Sequence, residues 1–130
     1  MGTKSHVLLV EDSRFMRTAV AAMLSANGFR VTTAADGEQA VKVTEQQIPD
    51  LIVMDWFIPK LRGLELIQKF KSSSRTAHVP IVILSGAGKA DDLKQALSKG
   101  AVGFIDKTSL SLEGMLGQIT SFLRPATSPV

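Results

Sequence analysis

Five short apolar runs recur along the chain, and longer mixed segments separate them. The runs are rich in Val, Ile and Leu and lack polar alternation: Val7–Val10, Val31–Ala34, Leu51–Met54, Ile81–Leu84 and Val102–Ile105. Runs of this length without alternation are typical of strands buried on both faces, as parallel strands are. We therefore expect five strands in one parallel sheet.

The segments between the runs carry apolar residues at three- and four-residue spacing, which predicts five helices. Ser13 is the expected cap of the first helix and Gly28 its expected end, whereas Asp36 is the expected cap of the second. The fourth helix is expected to carry Asp91 and Asp92 in its first turn and Lys99 in its last turn. Those charges would complement the helix dipole.

Five strands that alternate with five helices predict a doubly wound α/β fold, because parallel neighbours need crossover helices. Ligands of such folds bind outside the carboxyl ends of the strands. Polar residues follow four of the five runs at those ends: Glu11, Asp12, Asp55, Ser85 and Lys107. We expect all of them at the same rim of the sheet.

The expected rim holds three carboxylates, which repel one another at neutral pH unless they hold protons or bind a cation. Their oxygen donors favour Mg²⁺, for which Mn²⁺ is a plausible substitute in vitro. A carboxylate beside such an ion could attack a phosphoryl group, with Lys107 supplying charge and Ser85 a hydrogen bond. The spacing leaves a plain metal-binding or nucleotide-binding rim equally open.

Composition limits the classes of protein to consider. The 130 residues are 45% hydrophobic and contain no Cys, so one domain over residues 1–124 with an unstructured tail at 125–130 is expected. Because no apolar run approaches the ~18 residues of a membrane helix, we expect a cytoplasmic protein with no membrane partner. The net charge of +3 comes from scattered cations with no Tyr to stack bases, which disfavours direct nucleic-acid binding.

Four segments of the chain match the pattern of a known family: VLLVEDSRFMR (7–17), LIVMDWFIPKLRG (51–63), VPIVILSGAG (79–88) and GAVGFIDKT (100–108). With the helices between them they cover nearly the whole chain. The sequence resembles the CheY-like receiver domain of two-component response regulators. The resemblance implies a flavodoxin-like strand order of 2-1-3-4-5.

The resemblance also implies roles for individual residues. Asp55 would accept a phosphoryl group from a histidine kinase or a histidine phosphotransfer protein. Mg²⁺ would be bound by Glu11, Asp12, Asp55 and the backbone carbonyl of Phe57. Ser85 and Lys107 would contact the phosphoryl group, and Ser85 together with Phe104 would form the switch. The domain would then catalyse only its own phosphorylation and dephosphorylation.

The sequence departs from the family pattern at several positions. Thr108 follows the lysine where the family usually has a proline in a cis peptide, and a cis bond before another residue costs ~2.5 to 4 kcal/mol. Phe57 and Ala87 occupy positions that often bear polar groups, so we expect slow self-dephosphorylation. Arg62 stands where many members have an acid.

The downstream target and three other functions remain open at this stage. A docking surface for an unknown partner or a second copy could form from the fourth strand and helix, Phe104 and the fifth helix, although a merely weak terminal helix explains Gly114 and Gly117 somewhat better. Thr108, which stands where the family usually has proline, favours a scaffold that is never phosphorylated. An aspartate-nucleophile phosphatase resembling the haloacid dehalogenase group would need a second acid two residues after Asp55. This sequence has Phe57 at that position. A flavodoxin-like cofactor binder would place a phosphate beside Glu11 and Asp12, which would repel it in the absence of a metal.

Overall fold

Strands and helices alternate along the chain, as the apolar pattern predicts. The computed structural model describes residues 5–57, 60, 62–86, 90–107 and 111–123, and the predicted tail lies outside them. In chain order the elements are β1 His6–Val10, α1 Arg14–Ala26, β2 Arg30–Ala34, α2 Gly37–Gln46, β3 Leu51–Asp55, α3 Gly63–Ser72, β4 Ile81–Ser85, α4 Ala90–Ser98, β5 Gly103–Asp106 and α5 Leu112–Leu123.

The five strands form one parallel sheet in the order β2-β1-β3-β4-β5. This order confirms the doubly wound, flavodoxin-like fold. In the register of the sheet, Asp55 lies opposite Leu84 and Ser85 lies opposite Asp106. The last residues of β3, β4 and β5 therefore meet at one rim.

Helices cover both faces of the sheet and bury two separate apolar clusters. On one face, α1 and α5 supply Val20, Leu24, Met115 and Ile119 to the first cluster. On the other face, α2, α3 and α4 contribute to the second cluster, which includes Phe70 and the strand residues Leu8, Ile52, Ile81 and Ile83. Because alternate strand residues point to opposite faces, every central strand serves both clusters.

Burial differs between the central and the edge strands. Every residue of β1, β3 and β4 is buried, as the unbroken apolar runs predict. By contrast β2 is mostly exposed or half-buried, and only Ile105 of β5 is buried. The expectation of full burial was wrong for these two strands, because an edge strand has a sheet neighbour on one side only.

Side chains and glycines set the helix ends where the sequence predicts them. The Ser13 hydroxyl accepts a hydrogen bond from the Met16 amide at 3.3 Å, and the Asp36 carboxylate accepts one from the Gln39 amide at 2.8 Å. Gly28 follows α1 with a φ of 92°, which favours glycine. Among the described residues, no helix is long and apolar enough to cross a membrane.

The fourth helix ends one residue earlier than expected. Asp91 and Asp92 lie in its first turn, but Ser98 is its last residue, so Lys99 follows the helix and the prediction for Lys99 was wrong. Gly100 has a φ of 121°, and the Ala101 amide donates a hydrogen bond back to the Ala96 carbonyl at 2.9 Å. This reversal closes the helix and leaves Lys99 at its boundary.

His6 lies buried at the amino end of the sheet, at the opposite end of β1 from the acidic residues. Its Nε2 lies 2.7 Å from the Thr32 hydroxyl, whereas Nδ1 is buried and has no hydrogen-bond partner among the described residues. Burial and the nearby charge of Arg30 lower the pKa of His6 below its ordinary value of 6.5, although Asp50 acts in the opposite direction. The fold therefore favours the neutral imidazole.

We expect this histidine to make the fold sensitive to mild acid. Because the pKa is lower in the folded than in the unfolded state, stability is lost as the pH falls below 6.5 towards the folded value. Urea midpoints measured between about pH 7.5 and about pH 5.5 should fall less for His6→Gln than for the parent. His78→Gln, which changes an exposed histidine, is the control. An equal fall for His6→Gln and the parent would contradict the assignment.

Candidate phosphoacceptor site

Three acidic side chains converge at the carboxyl ends of β1 and β3, which are adjacent in the sheet. Glu11 and Asp12 follow β1 directly, and Asp55 ends β3, which pairs with β1. Each residue offers one carboxylate oxygen, and these oxygens all lie within 4.8 Å of one another. Glu11 and Asp55 are buried, whereas Asp12 is exposed and opens the cluster to solvent.

Glu11 is the most deeply buried member of the cluster, with none of its surface exposed. Its Oε2 accepts a hydrogen bond from the Ser13 amide at 2.9 Å. Burial raises the pKa of Glu11, while hydrogen bonds from Lys107 and Ser13 oppose that effect. The neighbouring charge of Asp55 also raises it. A buried carboxylate in this setting needs a cation nearby.

Lys107 supplies a cation in the structure. Its Nζ lies 2.9 Å from Glu11 Oε1 and 2.7 Å from Asp55 Oδ2, so the ammonium bridges two buried carboxylates. Burial disfavours the charged ammonium, but the hydrogen bonds to Asp55 and Glu11 outweigh burial and raise the pKa of Lys107. Its backbone amide also donates to the Ser85 carbonyl at 3.1 Å. Lys107 is therefore held as a charged group.

Both carboxylate oxygens of Asp55 have partners. Oδ2 contacts Lys107, and Oδ1 accepts a hydrogen bond from the Phe57 amide at 3.2 Å. Ser85 is buried at the end of β4, the neighbouring strand. The structure thus places Asp55, Ser85 and Lys107 at the ends of three adjacent strands.

Trp56, which follows Asp55, lies tightly against the first residue of α3. The Gly63 amide donates to the Trp56 carbonyl at 3.2 Å, and a Cβ at position 63 would lie only 2.7 Å from that oxygen. A side chain would therefore clash with backbone, which explains glycine at this position. Trp56 is held half-buried beside Asp55, and the Phe57 side chain is 61% exposed.

Phe104 is half-buried on β5 and packs against the same apolar cluster as Trp56. The two aromatic residues line a small space near the site, which Ser85 and Asp92 also line. This placement puts Phe104 close to the hydroxyl with which the predicted switch would work. The Lys107–Thr108 peptide and Ala87, for which we made predictions, lie outside the described residues.

Sequence reasoning missed Arg17. Its Nη1 donates to the backbone carbonyls of Glu11 at 2.9 Å and Asp12 at 3.3 Å, so it contacts the acidic loop without contacting a carboxylate. An arginine five or six residues after an acid pair, at the start of a helix, was the available signal. The spacing alone does not reveal that the side chain turns back towards the strand.

A comparison with protein families decides the class of this domain. The model of the response regulator receiver domain matches residues 7–117. The chain belongs to this family. The match covers the five strands of the receiver domain, except for His6 at the start of β1, and all of the acidic cluster.

Curated relatives of this receiver domain include a longer regulatory protein. The phosphate regulon transcriptional regulatory protein PhoB of Escherichia coli is 33% identical over 119 residues. The alignment covers 92% of this chain and 52% of PhoB. The receiver chain therefore spans about half the length of PhoB.

Solved structures confirm the fold of the receiver domain. The chemotaxis response regulator CheY4 of Vibrio cholerae superimposes with a TM-score of 0.85 at 28% identity, covering 92% of this chain and 98% of that one. The receiver domain of sensor histidine kinase PA1611 from Pseudomonas aeruginosa gives a TM-score of 0.82 at 30% identity, with the same coverage. That structure contains a magnesium ion coordinated in its active site cleft.

Proposed function

We propose that this receiver domain accepts a phosphoryl group on Asp55 in a magnesium-dependent reaction and thereby switches a protein-binding surface. The observation that carries the proposal is the convergence of Glu11, Asp12 and Asp55 within 4.8 Å, in a chain of the receiver family. The donor is a histidine kinase or a histidine phosphotransfer protein.

The acidic cluster fits a magnesium ion by its donor chemistry. It offers carboxylate oxygens, one of them exposed, and hard oxygen donors with room for water suit Mg²⁺. Glu11, Asp12, Asp55 and the Phe57 carbonyl would hold the ion. When bound, Mg²⁺ neutralises negative charge on the transferring phosphoryl oxygens.

In the transfer itself, an Asp55 oxygen attacks phosphorus and forms a new P–O bond. The P–N bond of the phosphohistidine breaks, and its electron pair stays on the imidazole nitrogen. Lys107 already contacts Asp55 Oδ2 at 2.7 Å, so its charge lies where phosphoryl oxygens would arrive. Ser85 supplies a hydroxyl from the next strand. Asp55 needs no general base because it is a carboxylate nucleophile.

The change at Asp55 would reach the surface through Ser85 and Phe104, which line one small space. We define the α4–β5–α5 face by these three elements; it carries exposed apolar residues at Leu97 on α4, Val102 before β5 and Leu112 on α5. Gly117 on α5 is also exposed, and a Cβ there would meet nothing within 4 Å. We propose that this face binds a downstream protein or a second copy of the chain.

The fluorescence of Trp56 tests the proposal directly, because this residue adjoins Asp55 and is the only tryptophan of the chain. Emission should change on titration with Mg²⁺ and change again with beryllofluoride or acetyl phosphate. Asp55→Asn should lose the response to beryllofluoride and acetyl phosphate. Its matched control is Asp92→Asn, since Asp92 lines the groove beside Trp56 but lies outside the cluster. The control should keep both responses.

Two results would oppose the proposal. No response to Mg²⁺ in the parent, together with no heat of binding in calorimetry, would remove the metal site. A response to Mg²⁺ alone, with no mass increase after incubation with acetyl phosphate, would favour a scaffold that is never phosphorylated.

We expect the phosphorylated form to be long-lived. The Phe57 side chain next to Asp55 is apolar and 61% exposed, so it cannot orient a water molecule for attack on the acyl phosphate. Phe57→Gln should shorten the phosphorylated lifetime several-fold, because an amide can hold such a water. Mass spectrometry after removal of the phosphodonor measures both lifetimes. Equal lifetimes, or a parent lifetime of only seconds, would contradict this expectation.

A further inference from the structure

We infer that Arg17 is a positioning residue for the cation site, because its guanidinium fixes the loop between β1 and α1 by contacts to the backbone of Glu11 and Asp12. The inference rests on the proposed magnesium binding and assigns part of it to a residue outside the acidic cluster.

The contacts of Arg17 lie on the carbonyl side of the loop. One nitrogen, Nη1, donates to two successive carbonyls, at 2.9 Å to Glu11 and 3.3 Å to Asp12. The side chain is half-buried, and its own backbone amide donates to the Ser13 carbonyl at 2.8 Å in the first turn of α1. A rigid helix turn therefore anchors the guanidinium that holds the loop.

Ser13 holds the opposite, carboxylate side of the same loop. Its amide donates to Glu11 Oε2 at 2.9 Å, and its hydroxyl caps α1 through the Met16 amide. Together, Ser13 contacts the carboxylate of Glu11 and Arg17 contacts the backbone carbonyls of Glu11 and Asp12. The direction of the exposed Asp12 carboxylate depends on these contacts, because nothing buries its side chain.

Charge and positioning predict opposite effects on metal affinity. The positive charge of Arg17 repels a divalent cation, so removal of charge alone should strengthen Mg²⁺ binding. Loss of positioning should weaken it, since groups that orient metal ligands typically account for 10- to 100-fold in affinity, as a rough range. Variants that separate charge from hydrogen-bond geometry can therefore distinguish the two roles.

The test compares Arg17→Lys and Arg17→Met by calorimetric titration with MgCl₂. Lysine keeps the charge but ends one bond short of the Nη1 that makes both contacts, whereas methionine lacks both the charge and the donor. We expect both variants to bind Mg²⁺ about tenfold more weakly than the parent. Melting temperatures in EDTA show whether each variant is folded, and the conservative lysine variant gives the result if the methionine variant unfolds.

Arg14→Met is the matched control, because Arg14 begins the same helix, is exposed and carries the same charge. It should bind Mg²⁺ as tightly as the parent or slightly more tightly. Affinities of both Arg17 variants within roughly twofold of the parent would overturn the inference, even if their melting temperatures fall. If the parent binds no Mg²⁺, the proposed function fails as well, which distinguishes the two failures.

Discussion

The Asp55→Asn protein is expected to show no mass increase after incubation with acetyl phosphate and Mg²⁺, whereas the parent gains one phosphoryl group. A neutral amide cannot attack phosphorus as a carboxylate does. The substitution should largely spare the fold, because the amide oxygen can still accept one of the two hydrogen bonds that Asp55 receives and Lys107 keeps its contact with Glu11. Circular dichroism and melting temperature check that point.

Asp92→Asn serves again as the control and should be phosphorylated as the parent is. It changes an acid of α4 that lies near Trp56 but outside the cluster. Phosphorylation of Asp55→Asn to the parent's extent would mean that another residue accepts the group. In that case peptide mapping of the product would identify the actual acceptor and remove the proposed role of Asp55.

The Lys107→Met protein is expected to lose stability in EDTA and to regain most of it with Mg²⁺. Without the ammonium, the buried Glu11 and Asp55 carboxylates face each other unpaired. Breaking a buried pair costs about 3 kcal/mol or more. At neutral pH the loss of stability should not greatly exceed that value, because Glu11 can take up a proton, which removes the repulsion between the two carboxylates. A divalent cation would replace the missing charge, so Mg²⁺ should also bind more tightly.

Urea unfolding of both proteins in EDTA and in MgCl₂ measures this effect, since a ligand stabilises only the state that binds it. Lys94→Met is the matched control, because Lys94 is exposed on α4 and takes part in no ion pair among those found in the described residues. It should lower stability little and equally in both solutions. An equal loss of stability for Lys107→Met in EDTA and in MgCl₂ would show that Lys107 and metal binding are not linked.

The fold could be predicted from the sequence because each local signal agreed with the overall arrangement. Ser13 and Asp36 cap helices with their own side chains, and the apolar runs are long enough for one strand each. What failed depended on neighbours that the sequence does not name. The apolar run of an edge strand has the same pattern as the run of a central strand, so burial at the edge could not be predicted. Lys99 fell outside α4 because Gly100 reverses the backbone.

The site was predictable in its membership but not in its contacts. Because the carboxyl ends of parallel strands lie at the same rim of the sheet, Asp55 and Lys107 could be placed there from the sequence. The bridge from Lys107 to Glu11 depends on strand order and on side-chain conformation, neither of which apolar spacing encodes. Arg17 was missed for the same reason, because its partners are backbone carbonyls and carry no signature in sequence.

The hydrogen bond between Lys107 and Glu11 joins residues 96 positions apart, and so the site cannot be complete until the last strand is in place. During synthesis the acids of β1 and β3 emerge well before their lysine. A ribosome-bound or truncated chain that stops short of β5 would carry an unbalanced acidic pocket.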